Sequence, residues 1–585
     1  MTLAELLVGL PPQIRQIRTI MAAGNSPEAV EVVEVRDDSR KVEPGDLFVA
    51  ITGAAADGRA FLTDAVARQA GVLVVEDQLP GDRGSMGRPG LAHAGDRTWR
   101  PGQEDLVPLG FRGTVVIVPN ARHALAVIAA NRFAAGRELT LSAVTGTNGK
   151  TTTTYLLESM LTAAGIRAGV VGTVAYRVGG GGPGQPAGDA RGFCRAAPLT
   201  TPGALALHAL LADMRGAGAT DVVLEASSHA LDQNRLDGCR FRVAGLTNVT
   251  QDHLDYHGSM DRYLEAKAIL FSRLLDPSEG VAVLPVDLPE GRALWTRVLH
   301  GARPGAGGSR CDVLGVAVAP RTSGADIQLE SVEMSASGLR VRLATPGGSV
   351  ALSSPLVGGF NLSNIVLAVG MAIARGLDPA AISAGLERLT GVPGRLERVP
   401  NDLGALCLVD YAHTPDALER ALAAVRPLVD EGRGGRLITV FGCGGDRDRA
   451  KRPLMGAAAV AGSDLAIVTS DNPRNERPDE IIAMILDGVR RQGALELETA
   501  QDLARWAAAA DRVPGVFHVA ADRRTAIWRA VSACRPGDVA LIAGKGHEDY
   551  QIIGGNRLPF DDREEAAAAF AACSARSRAS EALPP

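Results

Sequence analysis

The sequence predicts an α/β protein of three successive modules, and three observations predict it. Short apolar runs alternate with helical patterns along the chain, as in DLFVAITG, LSAVTG, DVVLEA, LITVFGCGG and DVALIAGKG. That alternation restarts after about residue 391, beyond the buried helical stretch NLSNIVLAVGMAIARG. The length of 585 residues corresponds to three or four domains at roughly 150 residues each.

The modules are expected at 1–136, 137–390 and 391–585. In the first, DLFVAITG, AGVLVVED and GTVVIVP read as strands, and the Gly/Pro/Arg-rich 80–112 as a long loop or insertion. In the second, LSAVTG leads into a helix from Lys150 to about Ala164, and further strands follow at 221–226, 243–249 and 280–285. Strands separated by helices imply a largely parallel, doubly wound sheet. VGGGGPGQPAGDARG and GARPGAGGSR read as surface loops at 178–192 and 301–310. In the third module LCLVDYA, LITVFGCGG, LAIVTSD and DVALIAGKG are strands, and the last twenty residues read as a frayed tail, from about 570.

Composition removes whole classes of function. With 46% hydrophobic and 22% charged residues the chain buries ordinary cores rather than staying disordered. A net charge of −5 gives no basis for a nucleic-acid partner. The seven cysteines are scattered without a CxxC pair, which fits a reducing compartment and neither a disulfide framework nor a zinc site. The N-terminus lacks a basic n-region, Pro11 and Pro12 break its apolar run, and no stretch approaches the ~18–20 apolar residues of a membrane span. A cytoplasmic protein with no membrane contact is expected. Only five of the 61 basic residues are lysines, at 41, 150, 267, 451 and 545. A GC-rich codon bias produces such a count without any functional meaning, yet arginine cannot supply a compact charge or a deprotonatable amine, so these positions are the first to locate.

The strongest motif is VTGTNGKTTTT at 144–154, between a strand and a helix. Gly146 and Gly149 let backbone N–H groups approach phosphate oxygens, Lys150 reaches the terminal phosphates, and the Thr151 hydroxyl suits Mg²⁺. Val144 occupies the first glycine position of the longer P-loop, so the match is to GxxGKT. Glu225 ends an apolar strand, where a carboxylate is costly unless paired or metal-bound. Ser227, Ser228, His229, Gln233 and Arg235 crowd the turn after it, which reads equally as an ordinary polar loop. His253, Asp255 and His257 follow; the i,i+4 histidines admit a zinc reading, but no third ligand is arranged nearby. Lys267 stands between Ala266, Ala268 and Ile269. It is either a snorkelling lysine or a desolvated amine able to add CO₂ as a carbamate. In the third module Asp410 and His413, Arg447 and Lys451, Asn472 and Arg474, and Lys545, His547 and Glu548 fall at successive strand ends, where open α/β sheets bind ligands.

Taken together, the motifs from DDSRKVEPGDLFVAITG at 37–53 to GKGHEDYQ resemble the Mur ligase family, the ATP-dependent amide-forming ligases of peptidoglycan synthesis. The resemblance implies three domains: an N-terminal UDP-binding domain, a central P-loop ATPase domain and a C-terminal Rossmann-like domain. It implies that Gly146, Thr147, Asn148, Gly149, Lys150, Thr151 and Thr152 hold ATP, with Asn361, Arg395 and Asp410 in segments that approach the nucleotide. Ser39 matches a uridine contact, and Thr200, Thr201, Ser227, Gln233 and Arg235 match positions that hold UDP-MurNAc-L-Ala-D-Glu. Lys267 matches the carbamylated lysine, and Glu225 and His253 the Mg²⁺ ligands.

Arg447, Asp471, Asn472, Pro473, Arg474, Gly544 and Glu548 match the positions that take meso-diaminopimelate. Diaminopimelate differs from lysine by a further carboxylate, which a guanidinium grips bidentately, so the DNPR sequence ending in Arg474 favours it. The implied cofactors are ATP, Mg²⁺ and CO₂, and the implied state is a monomer. A sister ligase adding L-lysine and a nucleotide-gated binding protein without turnover are the rival readings. The stretches at 80–112 and 178–192 exceed the family core, and LPVDLP stands where relatives carry an Asn.

Overall fold

The computed structural model describes residues 1–10, 16–19, 26–53, 57–76, 108, 111–179, 192–300, 312–430, 435–509 and 515–581. The loops expected at 80–112, 178–192 and 301–310 lie almost wholly outside the described residues. Two compact units emerge: Met1–Lys150 with Ile166–Leu284 and Leu288–Val313, and Thr151–Gly165 with Pro285–Asp287 and Leu314–Pro585.

The first unit contains two sheets. A five-stranded sheet runs Gln16–Thr19, Thr114–Val118, Val72–Glu76, Leu47–Val49, Val35–Arg36. Its inner strands are parallel, and the helix Ala121–Phe133 packs its buried alanines, Leu125 and Ile128 into the adjoining core. In the second sheet Thr140–Thr145 lies between Phe241–Leu246 and Asp221–Glu225, parallel to both. The register sets Val144 beside Glu225 and Thr145 beside Leu246, so three loops leave one edge at the same level. These strands are buried on both faces, which explains their unbroken apolar sequences. Ala168–Val171 continues the parallel pairing, and Ala175–Val178 and Phe193–Ala196 close it antiparallel.

In the second unit a seven-stranded sheet runs Glu397–Val399, Leu406–Asp410, Val539–Ala543, Leu437–Phe441, Leu465–Val468, Val516–Val519, Leu495–Glu496. All pairs are parallel except the first. Alternate residues feed two cores: Leu408, Leu437, Phe441, Val468 and Leu541 one face, Cys407, Val409, Ile438, Val440 and Ile542 the other. Asp410 pairs with Ala543, Val440 with Ile542, and Phe441 with Val468, so the loops after these strands share one edge. The helix expected from Asn361 is Gly359–Arg375, and it is buried. An antiparallel meander, Ile327–Ser335, Gly338–Thr345 and Gly348–Ser354, adds strands that the sequence reading did not anticipate.

One expectation is corrected. The stretch expected as a frayed tail is helical as far as it is described: Asp562–Glu581 is a helix, and residues 582–585 lie outside the described residues. Ala566, Ala569 and Phe570 are buried at helical spacing, and Asp562 makes a fully buried ion pair with Arg523. An alanine stripe supplies too little hydrophobic contrast to be read as a packed face, yet it fits closely against a neighbouring helix.

Candidate functional site

The first unit carries the phosphate loop. Gly146 has φ 145°, and a Cβ there would lie 1.8 Å from Thr247 Oγ1, so only glycine fits. The loop is buttressed by the segment after Phe241–Leu246. Thr147 N–H donates to Asn248 O at 2.8 Å, Asn148 N–H to Asn248 Oδ1 at 3.1 Å, and Thr250 N–H to Thr147 Oγ1 at 3.0 Å. Thr247 Oγ1 and Asn248 Nδ2 both donate to Asn148 O. Lys150 Nζ donates to Gly146 O at 3.0 Å and to Thr147 O at 2.9 Å, and the helix Lys150–Ala163 follows with Thr151 and Thr152 buried.

Lys267 arrives from the helix Met260–Ile269 and donates to the same carbonyl, Gly146 O, at 2.8 Å. It is 1% exposed and its Nζ lies 4.2 Å from the centroid of the Tyr263 ring. Burial, and next the charge of Lys150, hold its amine well below the usual lysine range against the opposing pull of Asp252. Two amines therefore converge on one carbonyl of the phosphate loop.

Glu225 is buried beside that loop, its carboxylate accepting the N–H and hydroxyl of Thr173, each at 2.9 Å. His253 sits in the left-handed region at φ 52°, half-exposed, edge-on to His229 at 4.9 Å. His257 turns its Nε2 to Ser228 Oγ at 3.0 Å, so that ring atom is engaged away from His253. Burial, and then the charge of His253, lower the His229 pKa. Among the described residues no group of three His, Cys, Asp or Glu side chains is able to hold a metal.

The residues expected to hold the nucleotide-sugar peptide form one network, except Ser39. Thr201 Oγ1 donates to Glu225 O at 2.7 Å and lies 3.3 Å from Ser227 Oγ. Ser227 caps the short helix Ser228–Asp232, and Thr200 Oγ1 lies 3.0 Å from Thr173 Oγ1. Gln233 Oε1 accepts Arg235 Nη2 at 2.8 Å, and Arg235 Nη1 reaches Thr201 O at 2.9 Å. Ser39 is buried in the 3₁₀ turn Ser39–Lys41, where its hydroxyl, with Arg68, holds the Asp64 carboxyl below its usual range.

In the second unit the expected amino-acid residues gather around one buried cation. Lys545, 0% exposed, reaches Asn472 Oδ1 at 3.2 Å, Glu548 Oε2 at 3.3 Å and Asp471 Oδ1 at 3.7 Å. Asn472 donates to Glu548 Oε2 at 2.8 Å and accepts Ile552 N–H at 2.9 Å, which fixes its amide. Arg474 is held at φ 52° by backbone bonds to Ile552 O and from Gly554 N–H, a conformation costly for a residue with a Cβ. Its Nη1 donates to Gly445 O at 2.8 Å. A Cβ on Gly444 would lie 2.9 Å from Arg474 Nη1 and 3.8 Å from Arg447 Cγ, so both arginine side chains pass this glycine, Arg474 with its guanidinium and Arg447 with its stem. Pro473 O accepts Glu476 N–H, and Gly544, at φ 119°, bonds to Asp410 O.

The expected nucleotide-side residues of this unit stand slightly apart. Asp410 accepts Leu396 N–H and Ala412 N–H, each at 2.8 Å, and burial raises its pKa. Arg395 lies over the Tyr411 ring, 5.0 Å from its centroid, and Tyr411 packs on His547 and His413. Asn361 turns inward, donating to Val357 O and accepting from Asn364.

Sequence reasoning missed the supports. Thr247, Asn248 and Thr250 follow an apolar strand in TNVT, and that placement was the only available signal. Lys545 was visible as one of five lysines, without a role. Arg523 had no signal in a chain full of arginines. It grips Asp562 with two bonds of 2.7 Å and reaches Ala543 O and Ser470 O, the residues just before Gly544 and Asp471.

Three family models match the chain in succession. They are the Mur ligase family catalytic domain over residues 31–133, the Mur ligase middle domain over 144–372 and the Mur ligase glutamate ligase domain over 394–546. The UDP-N-acetylmuramoyl-L-alanyl-D-glutamate–2,6-diaminopimelate ligase of Geobacter metallireducens is 42% identical over 560 residues, 94% of this chain and 96% of that one. Its counterpart of the same name from Gloeobacter violaceus is 41% identical over 558 residues, 94% and 96% of the two chains. A solved structure of a ligase of that name is 31% identical, with a TM-score of 0.64 over 98% of this chain and 99% of its own. Likeness of this extent runs through both units. The chain belongs to the Mur ligase family.

Proposed function

We propose that the protein is an ATP-dependent ligase that joins meso-2,6-diaminopimelate to UDP-MurNAc-L-Ala-D-Glu for cell-wall peptidoglycan. The observation that carries the amino-acid half is one sheet edge that pairs acids with guanidinium arms. Asp471 and Glu548 suit an ammonium group, and Arg447 and Arg474 suit a carboxylate. Relatives named for this reaction, matched over nearly their whole length, support the same reading. Within it, residues 1–136 take the UDP end, 137–390 bind ATP and 391–585 deliver the amino acid, in the cytoplasm.

The D-glutamate γ-carboxylate attacks the ATP γ-phosphorus. An O–P bond forms, the bond to the β-phosphate oxygen breaks, and ADP leaves. Lys150 and the N–H groups of the Gly146–Lys150 loop offset the charge on the transferring group, after Lys150 exchanges its loop carbonyls for phosphate oxygens. The amine of diaminopimelate then attacks the acyl carbon, loses a proton, and phosphate departs. The acyl phosphate is prone to hydrolysis, so water must be excluded while the amine is aligned.

The buried Lys267 amine fits carbamate formation, R–NH₂ + CO₂ → R–NHCOO⁻ + H⁺, because it carries no carboxylate partner among the described residues and its positive charge is disfavoured. The carbamate, Glu225 and His253 would hold one Mg²⁺ and the Thr151 hydroxyl another, and each would supply further positive charge for the phosphoryl oxygens. Without the carbamate, the described residues fall short of a three-ligand set.

The test is ATP, Mg²⁺ and UDP-MurNAc-L-Ala-D-Glu with diaminopimelate and L-lysine in competition, read by product mass. The diaminopimelate tripeptide is expected, and Arg474→Ala should lose it selectively. A lysine product would move the protein to the sister activity. Phosphate release that ignores both acceptors would remove the ligase reading.

A further inference from the structure

The helix Ala121–Phe133 presents its first turn to the segment Gln233–Asp237. Asn120, its cap, donates to Asn234 Oδ1 at 3.3 Å, and His123 Nδ1 meets Asp237 Oδ2 at 2.5 Å. Between these two anchors Arg122 extends both of its Nη atoms. Nη2 donates to Thr52 O at 2.8 Å, and Nη1 to Gln233 Oε1 at 3.3 Å. Gln233 Oε1 is also the acceptor of Arg235 Nη2 at 2.8 Å. Two guanidinium groups, from elements more than a hundred residues apart, thus converge on one neutral oxygen.

That arrangement is electrostatically incomplete. Among the described residues neither Arg122 nor Arg235 makes an ion pair, although the surrounding acids all have donors. Asp232 accepts the Tyr256 hydroxyl, Asp57 is held by Arg59, Glu76 accepts Ala121 N–H, and Asp237 is shared by Arg273 and His123. Burial, then the charge of Arg122, lower the Arg235 pKa. Like charges brought together in a partly desolvated site repel, and planar guanidinium forks are suited to one oxyanion between them.

We infer that Arg122 is a substrate-binding residue that, with Arg235, grips an oxyanion of the UDP-muramoyl peptide. The inference rests on the substrate reading above. Arg122 ties Thr52, in the segment that resembles a uridine contact, to Gln233, in the segment that resembles a muramoyl-peptide contact. Chemically, the group that stands between uridine and the muramoyl sugar is a diphosphate. A carboxylate of the peptide is the other source of the same chemistry.

The experiment uses the full chain carrying Arg122→Gln, which removes the charge and keeps a donor, and Arg122→Lys, which keeps the charge without the fork. Calorimetric titration without ATP measures UDP, UDP-MurNAc and UDP-MurNAc-L-Ala-D-Glu, alongside steady-state KM values for all three substrates. Arg122→Gln should weaken UDP-MurNAc-L-Ala-D-Glu about tenfold or more, with KM for ATP and diaminopimelate within about twofold, and Arg122→Lys should recover part of the loss. A loss already present with UDP identifies the diphosphate, and a loss that appears only with the dipeptide identifies its carboxylate. Unchanged affinity for all three, or a loss spread equally over ATP and the amino acid together with a lower Tm, overturns the inference and leaves Arg122 a staple. If the wild-type chain binds none of the three, the substrate reading itself fails instead.

Discussion

Two lysines in this protein are equally buried and face opposite electrostatics. Lys267, 1% exposed, sees a carbonyl, an aromatic face and a second lysine. Lys545, 0% exposed, sees an amide oxygen and two carboxylates. The first environment disfavours a proton on the amine. The second balances a fixed positive charge and uses it to hold Asn472 and Glu548 in place. Burial alone therefore does not assign a lysine its role; the sign of its neighbours does.

The largest effect that tests this contrast is catalytic. Lys267→Ala should lower kcat by about 10²–10³-fold, with partial return on adding formate or acetate. Lys267→Arg should fail as well, because a guanidinium does not take up CO₂. Full activity in Lys267→Ala would end the carbamate role.

Stability should separate the pair next. Lys545→Met strands the buried Asp471 carboxylate and the part-buried Glu548 carboxylate and should cost about 3 kcal/mol in denaturant unfolding. Lys267→Met removes a desolvated amine that makes no ion pair among the described residues and should change stability by no more than about 1 kcal/mol, or raise it. Equal losses in the two variants would erase the distinction.

The smallest effect is a slope. Between its depressed pKa and the ordinary 10.5, Lys267 is protonated in the unfolded chain and neutral in the folded one. The unfolded chain binds more protons there, so stability rises with pH across that window and levels off above 10.5. Measured in CO₂-free buffer, wild type should gain stability with pH relative to Lys267→Met. A flat difference would mean that the amine keeps its proton in the fold.

Much of this was legible in the residues. Apolar runs buried on both faces are the signature of parallel strands, so LSAVTG, DVVLEA and DVALIAGKG could be placed, and the ligand-bearing ends followed from them. The phosphate loop was legible because glycine and lysine at fixed spacing have few other uses. The meander at 327–354 was not: Gly338–Thr345 alternates buried Leu339, Val341 and Leu343 with exposed Arg340 and Arg342, but its partner Ile327–Ser335 is mostly exposed and its register shifts between Leu329 and Ser331, so no matching pattern runs through both strands. Nor was the C-terminal helix, whose packed face is alanine and one phenylalanine.

By itself the sequence determined which side chains have the chemistry to act: a phosphate-loop lysine, a carboxylate closing an apolar strand, a lysine among alanines, the DNPR arginine. These are local properties, written in residue type and spacing. Tertiary structure alone decided the partnerships. It brought Lys150 and Lys267 to one carbonyl, set Lys545 among acids, joined Arg122 to Arg235 through Gln233, and tied Asp562 to the strand ends through Arg523. Charge and desolvation act through space between residues far apart in the chain, and only the fold sets those distances.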